Sequence, residues 1–265
     1  MNVYKIGGGE ELNIDAFVDD LATVSEPKIL VHGGNQELTD LQTQLGHPPR
    51  MVQSVDGQSS RFTDRETMEY FWMVYCGRVN KYIVERLQKR GVNAIGLSGM
   101  DGRLAVGKRR DRIKVLENGK QKILAGDYAG SVEMINISLL TFLMDHGYTP
   151  VITPPALSEQ GDAINVDGDK LAARIAIQMQ ASGLFYFFAA PGLLRDRDDE
   201  ASLIREVKLA EVDLVMAHAG GRMKKKVLAA RWALEGGVTE VRLGDGRTAT
   251  PVQDLMAGKG TIFIR

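Results

Sequence analysis

Short apolar runs alternate along the chain with stretches that are apolar on one side only. Val3, Tyr4 and Ile6 make the first run, broken by Lys5 and stopped by Gly7, Gly8 and Gly9, and read as a strand. Ile14, Phe17, Val18 and Leu21 then fall on one face of a helix predicted over residues 13–24. Lys28, Ile29, Leu30, Val31 and His32 form a second strand closed by Gly33 and Gly34. A second helix follows, with Leu38, Leu41 and Leu45 on one side. Thr63 and Asp64 cap a long helix that runs through Met68, Phe71 and Val74 to about Gln88, and residues 93–97 make another strand.

Residues 103–129 break this rhythm. They alternate over short distances around Glu117, Asn118 and Gly119, the signature of a β-hairpin. Helices are then expected over 137–145, 168–180 and 221–235, and strands over 149–152, 184–188, 238–243 and 261–264. Strands spaced by helices imply βαβ units. The predicted fold is α/β, a three-layer αβα sandwich with a mainly parallel central sheet and a β-hairpin insertion. Two lobes are expected within it, residues 1–160 and 161–265.

Composition narrows the function more than the fold. Lysine plus arginine number 33 against 34 acidic residues, a formal charge of -1, which argues against a surface built for nucleic acid. No apolar stretch is long enough to span a membrane. The opening residues lack a basic segment followed by an apolar one, and Cys76 is the single cysteine. Both features lead to the expectation of a reducing, cytoplasmic setting.

Two strands that end in glycines where helices begin suggest an anion site. Ligands collect beyond the carboxyl ends of parallel strands, and the N–H groups that open a helix attract negative charge. No GxxxxGK[ST] or GxGxxG pattern is present, which sets aside a P-loop or the usual dinucleotide fold. Lys5 stands out because a charge inside an apolar strand is costly unless paired or liganded. Asn165, Asp167 and Asp169 precede an alanine-rich helix, either as a capped turn or as a polar cluster at a cleft. Lys224, Lys225 and Lys226 occupy the first turns of the 221–235 helix, where the helix dipole disfavours cations unless an anion meets them. Lys108, Arg109, Arg110, Arg112 and Lys114 form a second basic run, expected on the hairpin as a protected edge or a docking patch for an acidic partner. His32, His47, His146 and His218 show no metal-ligand spacing, and no metal site is expected.

In order and spacing, Lys5-x-Gly7-Gly8, His32-Gly33-Gly34, Arg61-x-Thr63, Gly77-x-x-Asn80-Lys81, Asn165-x-x-x-Asp169 and Met223-x-x-Lys226 resemble the amino acid kinase family, within it the acetylglutamate kinase group. The segments 46–50, 60–65, 74–77, 96–102 and 153–157 are similar to the branch whose substrate rides on a small acidic amino-group carrier protein of the LysW kind. Those enzymes phosphorylate the side-chain carboxylate of 2-aminoadipate, in some members glutamate, in lysine or arginine biosynthesis.

The resemblance implies ATP and Mg²⁺, a homodimer, and a role for each matching residue. Gly33 and Gly34 would contact the substrate through backbone N–H groups, Arg61 would hold its α-carboxylate, and Asn165 would hydrogen-bond it. Gly8 would offer its N–H to the γ-phosphoryl group. Lys5 and Lys226 would stabilise the transition state, with Asp169 orienting both. The chain departs from the family at Ala189 and Ala190, where a polar pair is usual, at Asp167, and at Asn35 in place of a third glycine. Two other readings share the fold: a kinase for free N-acetylglutamate, and a catalytically silent amino-acid sensor.

Overall fold

The computed structural model of the protein describes residues 1–55, 57, 59–117 and 119–265. Asn118, in the expected hairpin turn, lies outside the described residues, and so does the side chain of Arg222 in the basic helix start. In chain order the first elements are β1 (Asn2–Ile6), α1 (Ile14–Ala22), β2 (Lys28–His32), α2 (Asn35–Gln44), β3 (Met51–Ser54), β4 (Ser59–Arg61), α3 (Arg65–Phe71), α4 (Asn80–Lys89) and β5 (Ala94–Ser98). The middle of the chain forms β6 (Ala105–Arg109), β7 (Arg112–Glu117), β8 (Lys120–Ala125), β9 (Gly130–Ile135), α5 (Ile137–Asp145), β10 (Thr149–Thr153), β11 (Ala156–Ser158) and β12 (Ala163–Ile164). The remainder is α6 (Gly168–Gln178), β13 (Gly183–Phe188), β14 (Glu206–Lys208), α7 (Val212–Val215), α8 (Gly221–Glu235), β15 (Glu240–Asp245), α9 (Pro251–Met256) and β16 (Thr261–Ile264).

Eight strands form the central sheet in the order β14-β16-β15-β13-β1-β2-β10-β5. Pairing is parallel except between β15 and β16. Side chains alternate between the two faces of a strand. In β1, Val3 packs toward α6 and α8, while Tyr4 and Ile6 pack toward α1, α4 and α9. The same parity sends Lys5 to the α6 and α8 face, and sends His32 of β2 to the face of α4. The three-layer arrangement read from the sequence is therefore the one observed.

The insertion is larger than a hairpin. β7 and β8 pair as expected, but β3 and β4 extend them into a four-stranded sheet, and β6, β9, β11 and β12 form another. The apolar side of α2 is only partly buried. Leu38 is buried, but Leu45 follows the last turn and is 54% exposed, because the helix ends at Gln44 and Gly46 turns the chain away. The long helix from Asp64 is interrupted: between α3 and α4 its ladder widens to a π-helix over Trp72–Val79. Asp64 caps it as read, accepting from the Thr67 N–H at 2.8 Å.

Candidate active site

The two glycine loops touch. A Cβ on Gly8 would lie 2.4 Å from the Gly34 nitrogen and 2.6 Å from that of Asn35, so only glycine lets the loops approach this closely. The contact is stitched by the Gln36 N–H donating to Gly8 O at 3.0 Å and the Gly33 N–H donating to Ile6 O at 3.1 Å. The Gly33 N–H is thus used within the fold. Gly34 caps α2 without a side-chain bond, and with the Gln36 N–H given to Gly8 it is the Asn35 amide at the helix start that is left to meet an anion. A neighbouring cleft of about 370 Å³ is lined by Glu10, Asp15, Glu37 and Asp40, carboxylates that make it unsuited to an anionic ligand.

Behind the loops lies a buried charge cluster. Lys5 Nζ sits 2.8 Å from Asp169 Oδ1, and Lys226 Nζ sits 2.5 Å from Oδ2. All three residues are at most 8% exposed. Each is delivered by its element: Lys5 by the parity of β1, Asp169 by the first turn of α6, Lys226 by the inner face of α8. Asp167 caps α6, accepting from Asp169 and Lys170 N–H groups at 2.9 and 3.2 Å, and the Tyr186 hydroxyl donates to Asp169 O at 2.8 Å. Burial would raise the Asp169 pKa, but the two ammoniums outweigh it and hold the carboxyl below the usual range. Burial also lowers Lys226, against the pull of Asp169. Two positive charges against one negative leave a net cation facing the glycine loops, as a triphosphate approached by a carboxylate would require.

On the other side, Arg61 reaches from β4 to α2. Its guanidinium donates to Asn35 Oδ1 at 3.0 Å, to Thr39 Oγ1 at 2.8 Å and to Gln42 Oε1. Asn165 Nδ2 donates to Thr63 Oγ1 at 2.9 Å. Asp127, buried, accepts from the N–H groups of Thr63 and Ala129 at 3.0 and 3.2 Å and so ties these segments together. Tyr75, from the π-helix, stacks on Phe71 with centroids 3.9 Å apart and lines Gly34. Burial pushes its hydroxyl up to about 12, so it stays protonated.

The basic run does not lie on one hairpin. Lys108 and Arg109 end β6 and Arg112 begins β7, in different sheets. Arg109 is 19% exposed, stacked 3.6 Å over the Tyr128 ring, and donates to Asp127 O at 2.9 Å. Lys108 pairs with Glu133 at 3.1 Å. Arg110, Arg112 and Lys114 are exposed. In the basic run that opens α8, Lys226 turns inward to Asp169, while Lys225 lies 4.0 Å from Asp167. Ala189 and Ala190 are half-buried at the end of β13.

Asp127 is not singled out by the sequence, and Tyr75, His32 and Asn80 enter there only within the family-like motifs, with no task assigned. Asp127 sits in a turn without periodicity, and Tyr75 reads as one more apolar position of a helix. Outside its motif, His32 shows only the signal of a polar residue closing a buried strand.

A family model described as the amino acid kinase family matches residues 1–245. A LysW-aminoadipate kinase of Deinococcus radiodurans is 51% identical over 265 residues, covering 99% of this chain and 91% of that protein. Another of Thermus thermophilus is 48% identical over 267 residues, covering 99% of each. Among solved structures, N-acetylglutamate synthase from Neisseria gonorrhoeae, complexed with coenzyme A and N-acetyl-glutamate, aligns with a TM-score of 0.75 at 21% identity. That alignment covers 100% of this chain and 59% of the other, and it shows a shared fold.

Proposed function

This chain belongs to the amino acid kinase family, and from that premise we propose that it phosphorylates the side-chain carboxylate of carrier-linked 2-aminoadipate. ATP is the donor. A carboxylate oxygen attacks the γ-phosphorus, the bond to the β-bridging oxygen breaks, and ADP leaves an acyl phosphate. The observation that carries this reading is the pair of buried ammoniums on Asp169 beside the two touching glycine loops.

The chemistry needs little else. Phosphoryl transfer depends on positioning and charge neutralisation. A carboxylate is already ionised at neutral pH and needs no general base. Lys5 and Lys226 stabilise the charge that spreads over the phosphoryl oxygens, and Asp169 holds both ammoniums in place. Gly8 and Gly34 offer amides to the phosphoryl group and the reacting carboxylate. Gly33 contributes the turn, its own N–H being bound to Ile6. Arg61 and Asn165 anchor the far end of the substrate. Mg²⁺, held by the nucleotide's phosphates, would neutralise part of their charge, while the Asp169 carboxylate is engaged by the two lysines.

Residues 1–160 form the lobe for the acyl substrate and 161–265 the lobe for ATP. The exposed cations Arg110, Arg112 and Lys114 suit docking of a small acidic carrier, whereas Arg109 supports the fold around Asp127 and Lys108, though exposed, is paired with Glu133. The biosynthetic setting is that of lysine, and of arginine where glutamate is taken. No described helix is long and apolar enough to cross a membrane. A cytoplasmic homodimer follows from the resemblance.

The test is steady-state kinetics with ATP and two acceptors, carrier-linked aminoadipate and free N-acetylglutamate. A kcat/KM at least about 10²-fold higher for the carrier-linked substrate supports the reading; the reverse preference makes the chain a free-acetylglutamate kinase; turnover of neither makes it a non-catalytic relative.

A further inference from the structure

We propose that His32 and Asn80 are a positioning pair that fixes the Gly33–Gly34 peptide with its N–H edge toward the reacting groups. The inference deepens the carboxylate-kinase reading and rests on it. It assigns a task to the Asn80-Lys81 motif and to a buried histidine that the mechanism above leaves unused.

The hydrogen bonds around Asn80 can be solved in one way. Val151 O only accepts, and it lies 3.0 Å from one terminal atom of the Asn80 amide. Lys81 Nζ only donates, and it lies 3.1 Å from the other. The first atom is therefore nitrogen and the second oxygen. The same nitrogen lies 3.0 Å from His32 Nε2 and has its second hydrogen to give. Nε2 must then be the bare, accepting nitrogen of a neutral ring. The ring proton sits on Nδ1, which donates to Gly33 O at 2.9 Å. Burial favours this neutral form by pushing the ring's pKa down to about 4. Gly96 belongs to the same device, since a Cβ there would fall 1.9 Å from Asn80 Oδ1.

Gly33 O and the Gly34 N–H belong to one planar trans peptide and point to opposite edges. Holding the oxygen against His32 sends the Gly34 N–H to the opposite edge, where its nitrogen lies against Gly8 and its hydrogen faces the Tyr75 hydroxyl at the rim of the site. Two successive glycines could otherwise let this peptide rotate. A rotated peptide would present a carbonyl oxygen to a phosphate and a carboxylate, replacing a donor with a repulsive dipole. Asn80 prevents this indirectly, by selecting the tautomer that carries its proton on Nδ1.

Two variants separate positioning from bulk. Asparagine can place an amide N–H near the position of Nδ1, whereas glutamine places its amide nearer that of Nε2. His32→Asn should keep kcat within about tenfold of wild type, and His32→Gln should lower kcat by about 10²-fold, the scale of one lost oxyanion donor. KM for carrier-linked aminoadipate should change less than about threefold in both. Equal kcat losses, or losses confined to KM, would overturn the inference. A measurement on the unaltered protein stands beside this, independent of whether the variants fold: ¹⁵N NMR at pH 7 should show His32 neutral with its proton on Nδ1. An Nε2-protonated or doubly protonated ring would overturn the inference by itself. Wild-type protein that shows this tautomer but phosphorylates no carboxylate would instead sink the functional reading, so the two failures are distinguishable.

Discussion

Lys226, on α8, places its ammonium 2.5 Å from a carboxylate oxygen of Asp169, at the start of α6. With Lys5 on the other oxygen, one buried anion carries two cations. Removing that anion leaves the two ammoniums facing each other in a dry site.

Asp169→Asn should therefore destabilise the protein by about 3–5 kcal/mol, the usual cost of breaking a buried pair from one side. It should also change acid denaturation. The folded-state pKa of Asp169 lies below its unfolded value, so its contribution is present above about pH 4 and is lost as pH falls through the folded pKa. Urea unfolding between pH 2 and 7 should show a shallower acid limb for the variant; an unchanged limb would mean that the ion pair does not form in solution.

His32 acts on a different window. Its pKa falls from 6.5 to about 4 because it is buried, opposed by its bond to Gly33 and assisted by Lys5 and Lys81. The unfolded state takes up a proton below pH 6.5 and the folded state does not until about 4, so this contribution to stability declines as pH falls across that interval. The decline amounts to about 3 kcal/mol. His32→Asn should remove that slope, and unfolding curves at pH 4.5 and 7 would reveal it.

How much of this was legible in the sequence depended on locality. β1 and β2 stood out as apolar runs stopped by glycine, and α8 was read to its observed ends, Gly221 and Glu235. Lys5 was visible as a charge where charge is costly. Its partner was reached only through the family resemblance, because Asp169 by itself reads as an ordinary acid in the first turn of a helix. The small sheets escaped because β11 and β12 are too short to show a period, and β3 carries an exposed Met51. Arg109 looked like the equal of Arg112 in sequence; only the fold separates a guanidinium stacked on Tyr128 from an exposed one.

Arg61 is held among Asn35, Thr39 and Gln42 before any substrate is considered. An anchor for a remote carboxylate acts alike in ground and transition states. Arg61→Ala should raise KM for the acyl substrate by about tenfold or more with kcat changed less than about threefold. A collapsed kcat at unchanged KM would move Arg61 into the chemistry.

Replacing Arg110, Arg112 and Lys114 with serine should lower kcat/KM for carrier-linked aminoadipate and flatten its salt dependence, because exposed charges steer encounter through a screened field. A short mimic of the carrier's tail should be affected much less. Equal losses on mimic and carrier would show that the patch supports the fold instead of docking a partner.

The most direct measurement is single-turnover phosphoryl transfer by wild type, Lys5→Ala and Lys226→Ala, with carrier-linked aminoadipate and ATP, trapping the product with hydroxylamine. Wild type should yield the side-chain hydroxamate that an acyl phosphate gives. Each folded variant should form it at least about 10²-fold more slowly at saturating substrate, the scale of losing one transition-state donor. Hydroxamate formation at near-wild-type rate in either variant would contradict the assignment of the two ammoniums on Asp169 as the groups that drive the transfer.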